Sequence, residues 1–181
     1  MLQITVPATE HFNEVTNEFV TTKAQTLQLE HSLISLSKWE SKWNKSFLSN
    51  RNKKTTEEMV DYVRCMTITP NVDPNIYYCL SPENVAAVNE YIDAPMTATV
   101  FSAAKEQGGM NEVITSELIY YWMIANNIPF ECQKWHLNRL ITLIRVCSIK
   151  NSPPKKMGAR EIMNRNAALN AARRKKMNSR G

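Results

Sequence analysis

Residues 113–150 read VITSELIYYWMIANNIPFECQKWHLNRLITLIRVCSIK, and this stretch decides the fold of the chain. The run Leu118–Ala125 is unbroken apolar sequence, but it is far shorter than the roughly 20 apolar residues that a membrane-spanning helix needs. After the break at 126–128, apolar residues recur at the spacing of one helix face: Leu137, Leu140, Ile141, Ile144 and Cys147. We therefore predict a hairpin of two buried helices, the second starting at Pro129. An Asn at the break can adopt a left-handed conformation, and proline suits a first helical turn.

Shorter patterns predict the elements that pack around this hairpin. Apolar and polar residues alternate in 2–6, 18–22 and 25–30, which predicts a small antiparallel sheet near the N-terminus. Residues 96–102 are compatible with one more strand. The predicted fold class is therefore mostly α (α+β), with a helical body around the central hairpin, a small N-terminal sheet and a basic C-terminal helix.

Three further helices are predicted from their start signals. The first begins near Ser32 or Ser35, the second at Thr55 or Thr56, and the third at Ser81, which caps it. Ser35 or Ser37 is the candidate cap of the first helix, and Glu40 follows Ser37 at the spacing of a capping box. The same helix carries Trp39 and Trp43, which are four residues apart and so share one face.

Charge is distributed unevenly along the chain. The net charge is +5, but residues 150–181 hold ten Lys or Arg and a single acid, a charge of +9 that leaves −4 for the rest. We predict a mainly helical body at 1–151 and a basic C-terminal helical arm at 152–181, separated by the SerProPro at 152–154. The cationic residues of this arm are Lys155, Lys156, Arg160, Arg165, Arg173, Arg174, Lys175 and Lys176.

The arm has three possible roles. Its apolar face is too thin to stabilise a helix alone. The arm is therefore a solvated helix, a segment that neutralises nucleic-acid phosphates, or a segment that docks on an acidic protein surface. It contains no aromatic residue that could stack on bases, which weighs against specific single-strand recognition. We expect the third role, in which the arm docks on an acidic protein surface.

The residues that usually carry chemistry do not form a recognisable site. No phosphate-binding glycine motif occurs, and the three histidines have no identifiable nucleophile to serve. Cys132 and His136 have the spacing of a metal half-site, but two further ligands are lacking. The first seven residues do not resemble a signal peptide, so we expect the chain to work in the cytosol that makes it. We predict no enzyme activity, no cofactor, no metal and no membrane partner.

The body has more large apolar side chains than a core of this size requires, although aromatic residues at helical spacing are more often core than binding surface. Exposed apolar groups of this kind mark protein interfaces or base-stacking surfaces. The residues that we predict to bind a partner as well as to pack are Trp39, Trp43, Leu118, Tyr121, Trp122, Trp135, Leu140 and Ile144.

Five stretches resemble the tail assembly chaperones of long-tailed bacteriophages, the group with flexible, non-contractile tails. They are 29–43, 66–72, 80–84, 116–147 and 165–174, which cover about two fifths of the chain, and the block 116–147 is the most specific. The resemblance implies a protein that binds the tape-measure protein in several copies and keeps its hydrophobic helices soluble in the host cytoplasm. It also implies that tail-tube subunits polymerise around the tape-measure protein while the chaperone keeps it soluble. The chaperone then leaves before the virion is complete.

A longer form made by ribosomal frameshifting is common in that family, and the resemblance implies that this chain is the shorter form. Two alternatives stay open at this stage. One is a structural head or tail component that remains in the virion, and the other is a phage protein that binds nucleic acid through the basic arm.

Overall fold

The structure, a computed structural model, describes residues 1–13, 18–49, 54–101, 113–152 and 158–177. Its strands are β1 (Leu2–Val6), β2 (Thr9–Asn13), β3 (Glu18–Thr22) and β4 (Gln25–Leu29). Its helices are α1 (Leu33–Trp43), α2 (Thr56–Met66), α3 (Pro82–Asp93), α4 (Ser116–Ala125), α5 (Leu137–Asn151) and α6 (Ala159–Met177). Two 3₁₀ helices lie at Pro74–Cys79 and Phe130–Lys134. The predicted fold class, mostly α with a small antiparallel sheet component, is confirmed.

The chain forms two compact units, Met1–Lys150 and Asn151–Gly181. The division falls one residue before the predicted boundary between body and arm. Pro153 and Pro154, on which that prediction partly rested, lie outside the described residues.

The strands form two antiparallel pairs instead of one sheet. β1 pairs with β4, and β2, which the sequence did not indicate, pairs with β3. In the first pair every second side chain is buried, namely Ile4, Val6, Leu27 and Leu29, so one face of this pair covers the core. The expected strand at 96–102 is absent from its described part, 96–101, where Met96 has a φ of 49° that extended backbone does not allow.

Helix α1 occupies the position that we predicted for the hairpin, because α2, α4 and the second 3₁₀ helix all pack against it. Its Trp39 is buried and donates its indole N–H to the carbonyl oxygen of Glu58 at 2.8 Å. The Phe47 ring meets Trp39 edge-on and stacks on Tyr62 at 3.7 Å between centroids. Large aromatic side chains thus lock α1 to α2 with defined geometry.

The caps follow the sequence signals in two cases and depart from them in one. Thr55 and Ser81 cap α2 and α3 as predicted. At α1 the cap is Ser32, whose partner in the capping box is Ser35. The proposed box of Ser37 and Glu40 is therefore wrong, since both residues lie inside the helix.

Glu40 instead joins three segments from a buried position. One carboxylate oxygen accepts the backbone N–H of Phe47 at 2.9 Å, and the other accepts the N–H of Ser116 at 2.7 Å. Ser116 is the first residue of α4, where backbone N–H groups have no helical partner and the helix dipole favours an anion. The carboxylate therefore fixes the start of α4 on α1.

The second predicted helix starts later than expected. Pro129 precedes the short 3₁₀ helix, and α5 begins only at Leu137. The reason is a tertiary contact: His136 bridges to Ser32, and the N–H of Leu137 donates to the carbonyl oxygen of His31 at 2.7 Å. The segment before α5 is thus tied to the start of α1 and cannot continue as a helix. The break itself is as predicted, with Asn127 in the left-handed region at φ 52°.

Replacing Glu40 tests this arrangement. Glu40→Ala leaves two amides at a buried site without their charged acceptor, so we expect the free energy of unfolding to fall by about 2–3 kcal/mol. Glu131→Ala, at an exposed carboxylate, is the matched control and is expected to change it by less than about 0.5 kcal/mol. Chemical denaturation measures both, and equal stability of the two variants would contradict the role of Glu40.

Candidate interaction surface

Helix α4 divides the apolar run 118–125 between the core and the surface. Ser116, Ile119 and Met123 are buried and share one face. On the other side the Tyr121 side chain is 63% exposed and that of Ile124 is 60% exposed. Such exposure is unusual for two large apolar residues only three positions apart.

Tyr120, Tyr121, Ile124 and Phe130 form what we call the apolar patch. Ile124 lies one turn from both tyrosines, and the Tyr120 ring lies 6.4 Å from the exposed ring of Phe130. The Tyr120 hydroxyl donates to Gln133 Oε1 at 2.9 Å, which ties α4 to the second 3₁₀ helix. Partial burial raises the pKa of Tyr120, so its hydroxyl stays protonated and remains a donor at neutral pH. The patch is therefore a continuous apolar surface on a fixed support.

Three residues that we expected to bind a partner belong to the core instead. They are Trp39, Leu140 and Ile144, all of them buried. Each lies on the inward face of its helix, so in the folded chain these side chains are not accessible to a partner. The repeat at Leu137, Leu140 and Ile144 that indicated a helix is thus a packing pattern.

Trp43, Leu118 and Trp122 are only half-buried, and both tryptophans pack against the core. The Trp43 indole donates to Asp61 Oδ2 at 2.9 Å, while Lys42 Nζ lies 2.6 Å from Oδ1. Burial alone would raise the pKa of Asp61, but the hydrogen bonds from Lys42 and Trp43 outweigh it and lower this pKa. Trp43 is thereby committed to the contact between α1 and α2.

Trp135 and Tyr121 are the predicted partner-binding residues that the structure leaves exposed. The Trp135 side chain is 37% exposed, and the Arg139 guanidinium lies 4.3 Å from its ring centroid. This cation–π contact holds the indole against the first turn of α5. Trp135 therefore offers a second rigid aromatic group at the surface.

Sequence reasoning missed Ile124 and Phe130. An unbroken apolar run has no periodicity from which its exposed side can be read, so Ile124 was indistinguishable from its buried neighbours. Phe130 was assigned to a continuous helix that does not form. The one available signal was Pro129, which directly precedes Phe130. A proline at that position suits the start of a short exposed turn as well as that of a longer helix.

Helix α6 carries the described part of the basic arm. All of its described side chains are exposed, including those of Arg160, Arg165 and the run 173–176. Lys155 and Lys156 lie outside the described residues. Within α6, the arm thus presents its described cationic groups to solvent.

Comparison of the chain with protein-family models, with curated proteins and with solved structures gave no match. Among the described residues, no helix is both long enough and apolar enough to cross a membrane.

The structure separates the two residues of the suspected metal half-site. Cys132 lies in a 3₁₀ helix, and His136 follows it in an extended segment, so the pair does not share a helix face. The described residues contain no group of three or more His, Cys, Asp or Glu that could hold a metal ion. The four cysteines are free thiols, and burial raises the pKa of Cys65, which keeps this thiol protonated.

The buried histidines have structural partners. His136 Nε2 lies 2.9 Å from the carbonyl oxygen of Tyr91, which can only accept, and the N–H of Asn138 donates to Nδ1 at 3.3 Å. Both contacts together require the neutral tautomer with hydrogen on Nε2. The His31 ring lies 5.1 Å from that of His136, and its Nδ1 is 2.6 Å from the Tyr62 hydroxyl. Burial raises the pKa of Tyr62, so this hydroxyl keeps its proton, and the His31 tautomer decides which of the two groups donates.

Burial, with a smaller contribution from His136, lowers the pKa of His31 from 6.5 to about 3. Between these values the unfolded chain binds a proton that the folded chain does not, so the free energy of unfolding falls as the pH falls. One such group contributes a slope of up to about 1.4 kcal/mol per pH unit. The hydrogen bond from Lys45 lowers the pKa of Glu58 from 4.5. The stability that this contact contributes is therefore lost mainly as the pH falls below 4.5.

We therefore expect stability to decline as the pH falls from 6.5 to 4.5. His31→Asn is the matched variant, because an asparagine side chain has both an acceptor and a donor for the Tyr62 hydroxyl but does not titrate. Urea denaturation across this pH range is expected to give a flatter slope for His31→Asn than for the parent chain. Identical slopes would show that His31 does not control acid stability.

Proposed function

We propose that this chain is a non-enzymatic tail assembly chaperone of a long-tailed bacteriophage. In this proposal it binds the helical tape-measure protein in the host cytoplasm, in several copies, and keeps it soluble while tail-tube subunits polymerise. The observation that carries the proposal is the apolar patch, whose large side chains are held at the surface of a folded body.

The chemistry of the patch suits an amphipathic helix as its ligand. Such a helix presents apolar side chains at positions i, i+3, i+4 and i+7, and it binds a surface that offers an apolar strip to receive them. Tyr121, Ile124 and Phe130 provide that strip. Aromatic residues are enriched at protein interfaces because they bury a large area at a small cost in conformational entropy.

The support of the patch favours binding without rearrangement. Met123 is buried directly beneath it on α4, and the Glu40 carboxylate holds the first residue of the same helix. The hydrogen bond between Tyr120 and Gln133 fixes the neighbouring segment. A preorganised surface loses less entropy on binding, which matters for a chaperone whose contacts must be reversible.

Two substitutions on the patch test the proposal. In a pull-down after co-expression with the tape-measure protein of the same phage, Tyr121→Ala with Ile124→Ala is expected to weaken capture by about 2 kcal/mol or more, roughly thirtyfold. Tyr78→Ala is the matched control. The Tyr78 side chain is 65% exposed, close to the 63% of Tyr121, but it lies on the first 3₁₀ helix, outside the apolar patch. The control is expected to bind like the parent chain.

Equal capture by both variants would contradict client binding at the patch. Mass spectrometry of purified virions distinguishes the structural alternative. A chaperone is nearly absent from finished particles, whereas a head or tail component is present in stoichiometric amounts.

A further inference from the structure

An open cavity of about 440 Å³ lies where the start of α1, the end of α2 and the second 3₁₀ helix meet. All of the residues that line it belong to the unit Met1–Lys150. Its volume falls within the range of about 300–1,000 Å³ that is typical of small-molecule sites. The lining includes no residue of the apolar patch, so the cavity is a separate feature of the body.

Backbone contacts hold the walls of this cavity in place. The N–H of Glu30 donates to the carbonyl oxygen of Met66 at 2.9 Å, and the N–H of Ile68 donates to a carbonyl oxygen of β4 at 2.8 Å. These bonds fix the segment after α2 along the edge of β4. On the other side, the bridge between Ser32 and His136 ties the start of α1 to the segment after the second 3₁₀ helix. Walls that are fixed in this way lower the entropic cost of binding a ligand.

Two lysines make the cavity electropositive. Lys38 of α1 and Lys134 of the second 3₁₀ helix line it, and among the described residues neither has an ion-pair partner. The carboxylate of Glu30 also belongs to the lining, but it already accepts the Tyr91 hydroxyl at 2.7 Å and the Met1 ammonium at 3.1 Å. Because Glu30 is engaged by these groups, the charge of the two lysines remains available to an anion.

Aliphatic side chains form another part of the lining. They are Ile34, Met66 and Ile68, and the Ile68 side chain is 55% exposed. An inorganic anion would interact with the lysines but would leave this apolar surface in water. A ligand with a hydrocarbon group beside its charge would cover both.

We propose that this cavity binds a carboxylate that carries an apolar group. The ammonium groups of Lys38 and Lys134 would hold the carboxylate, and the apolar group would lie against Ile34 and Ile68. The lining carries one more positive charge than negative, which a single carboxylate balances. Such a ligand is either a free aliphatic acid or the C-terminal carboxylate of a peptide that ends in an apolar residue. The inference is independent of the proposed chaperone function, because the cavity and the patch share no residue.

Isothermal titration calorimetry of the full chain with sodium octanoate tests the site. We expect saturable binding of one octanoate per chain. Acetate and inorganic phosphate lack the hydrocarbon group, and octyltrimethylammonium lacks the negative charge. Each of these three probes is expected to bind at least about tenfold more weakly than octanoate, since each meets only one half of the site.

Substitution of the lysines tests the carboxylate end. Lys38→Gln and Lys134→Gln each remove one ammonium group at an exposed position, and each is expected to weaken octanoate binding by about tenfold. Lys23→Gln is the matched control, because Lys23 is an exposed lysine just before β4, at the opposite end of that strand from Glu30. The control is expected to bind octanoate like the parent chain.

Two further variants test where the hydrocarbon group lies. Ile68→Ala shortens an exposed side chain of the lining and is expected to weaken octanoate binding by about threefold or more. Tyr121→Ala with Ile124→Ala removes apolar groups from the patch and is expected to leave octanoate binding unchanged. Loss of binding in the patch variant alone would place octanoate on the patch and overturn the proposal.

Competition with short peptides that end in leucine distinguishes the two sources of the carboxylate. Displacement of octanoate by the free-acid peptide but not by its C-terminal amide would support a peptide C-terminus as the ligand. If neither peptide displaces octanoate, the free aliphatic acid is supported. Displacement by the amide, no measurable octanoate binding, or equal affinities of Lys38→Gln and Lys23→Gln would each overturn the proposal.

Discussion

The buried carboxylate of Glu40 is the interaction on which the geometry of the body depends. It lies on α1, against which α2, α4 and the second 3₁₀ helix pack, and it accepts one backbone amide after α1 and one at the start of α4. Removing a carboxylate from water is unfavourable unless charged hydrogen bonds replace its hydration, and two amides and a helix N-terminus supply that replacement. Because α4 is oriented in this way, Ile119 and Met123 point inward and Tyr121 and Ile124 point to solvent. The contact of Glu40 with the start of α4 and the burial of Ile119 and Met123 together hold the surface that we assign to client binding.

A second set of buried polar contacts fixes the opposite end of α1. His31 and His136 link the start of α1 to α2 through Tyr62 and to α3 through the backbone of Tyr91. The Tyr91 hydroxyl continues the chain to Glu30 at 2.7 Å. Since these groups act as neutral donors and acceptors with defined partners, they specify how the helices meet in a way that aliphatic packing alone does not. The two buried histidines are thus explained by architecture, without an active site.

Local signals in the sequence predicted the elements whose boundaries depend on local chemistry. Thr55 and Ser81 cap their helices as expected, because a cap needs only a side chain and the next turn. The failures arise where distant residues decide. The start of α5 is displaced by contacts with residues 31 and 32, and Glu40 serves two amides that are 7 and 76 residues away. The outward side of α4 was hidden for another reason, since a run of apolar residues contains no polar face to mark it.

Amide hydrogen exchange, followed by mass spectrometry on the chain alone and on its complex with the tape-measure protein, tests the central claim most directly. That claim is that the outer side of α4 and the segment after it receive a helical client. The account predicts slower exchange in α4 and in residues 126–134 of the complex, with little change in β1 and β4. Protection confined to α6, or the same exchange in α4 with and without client, would contradict it.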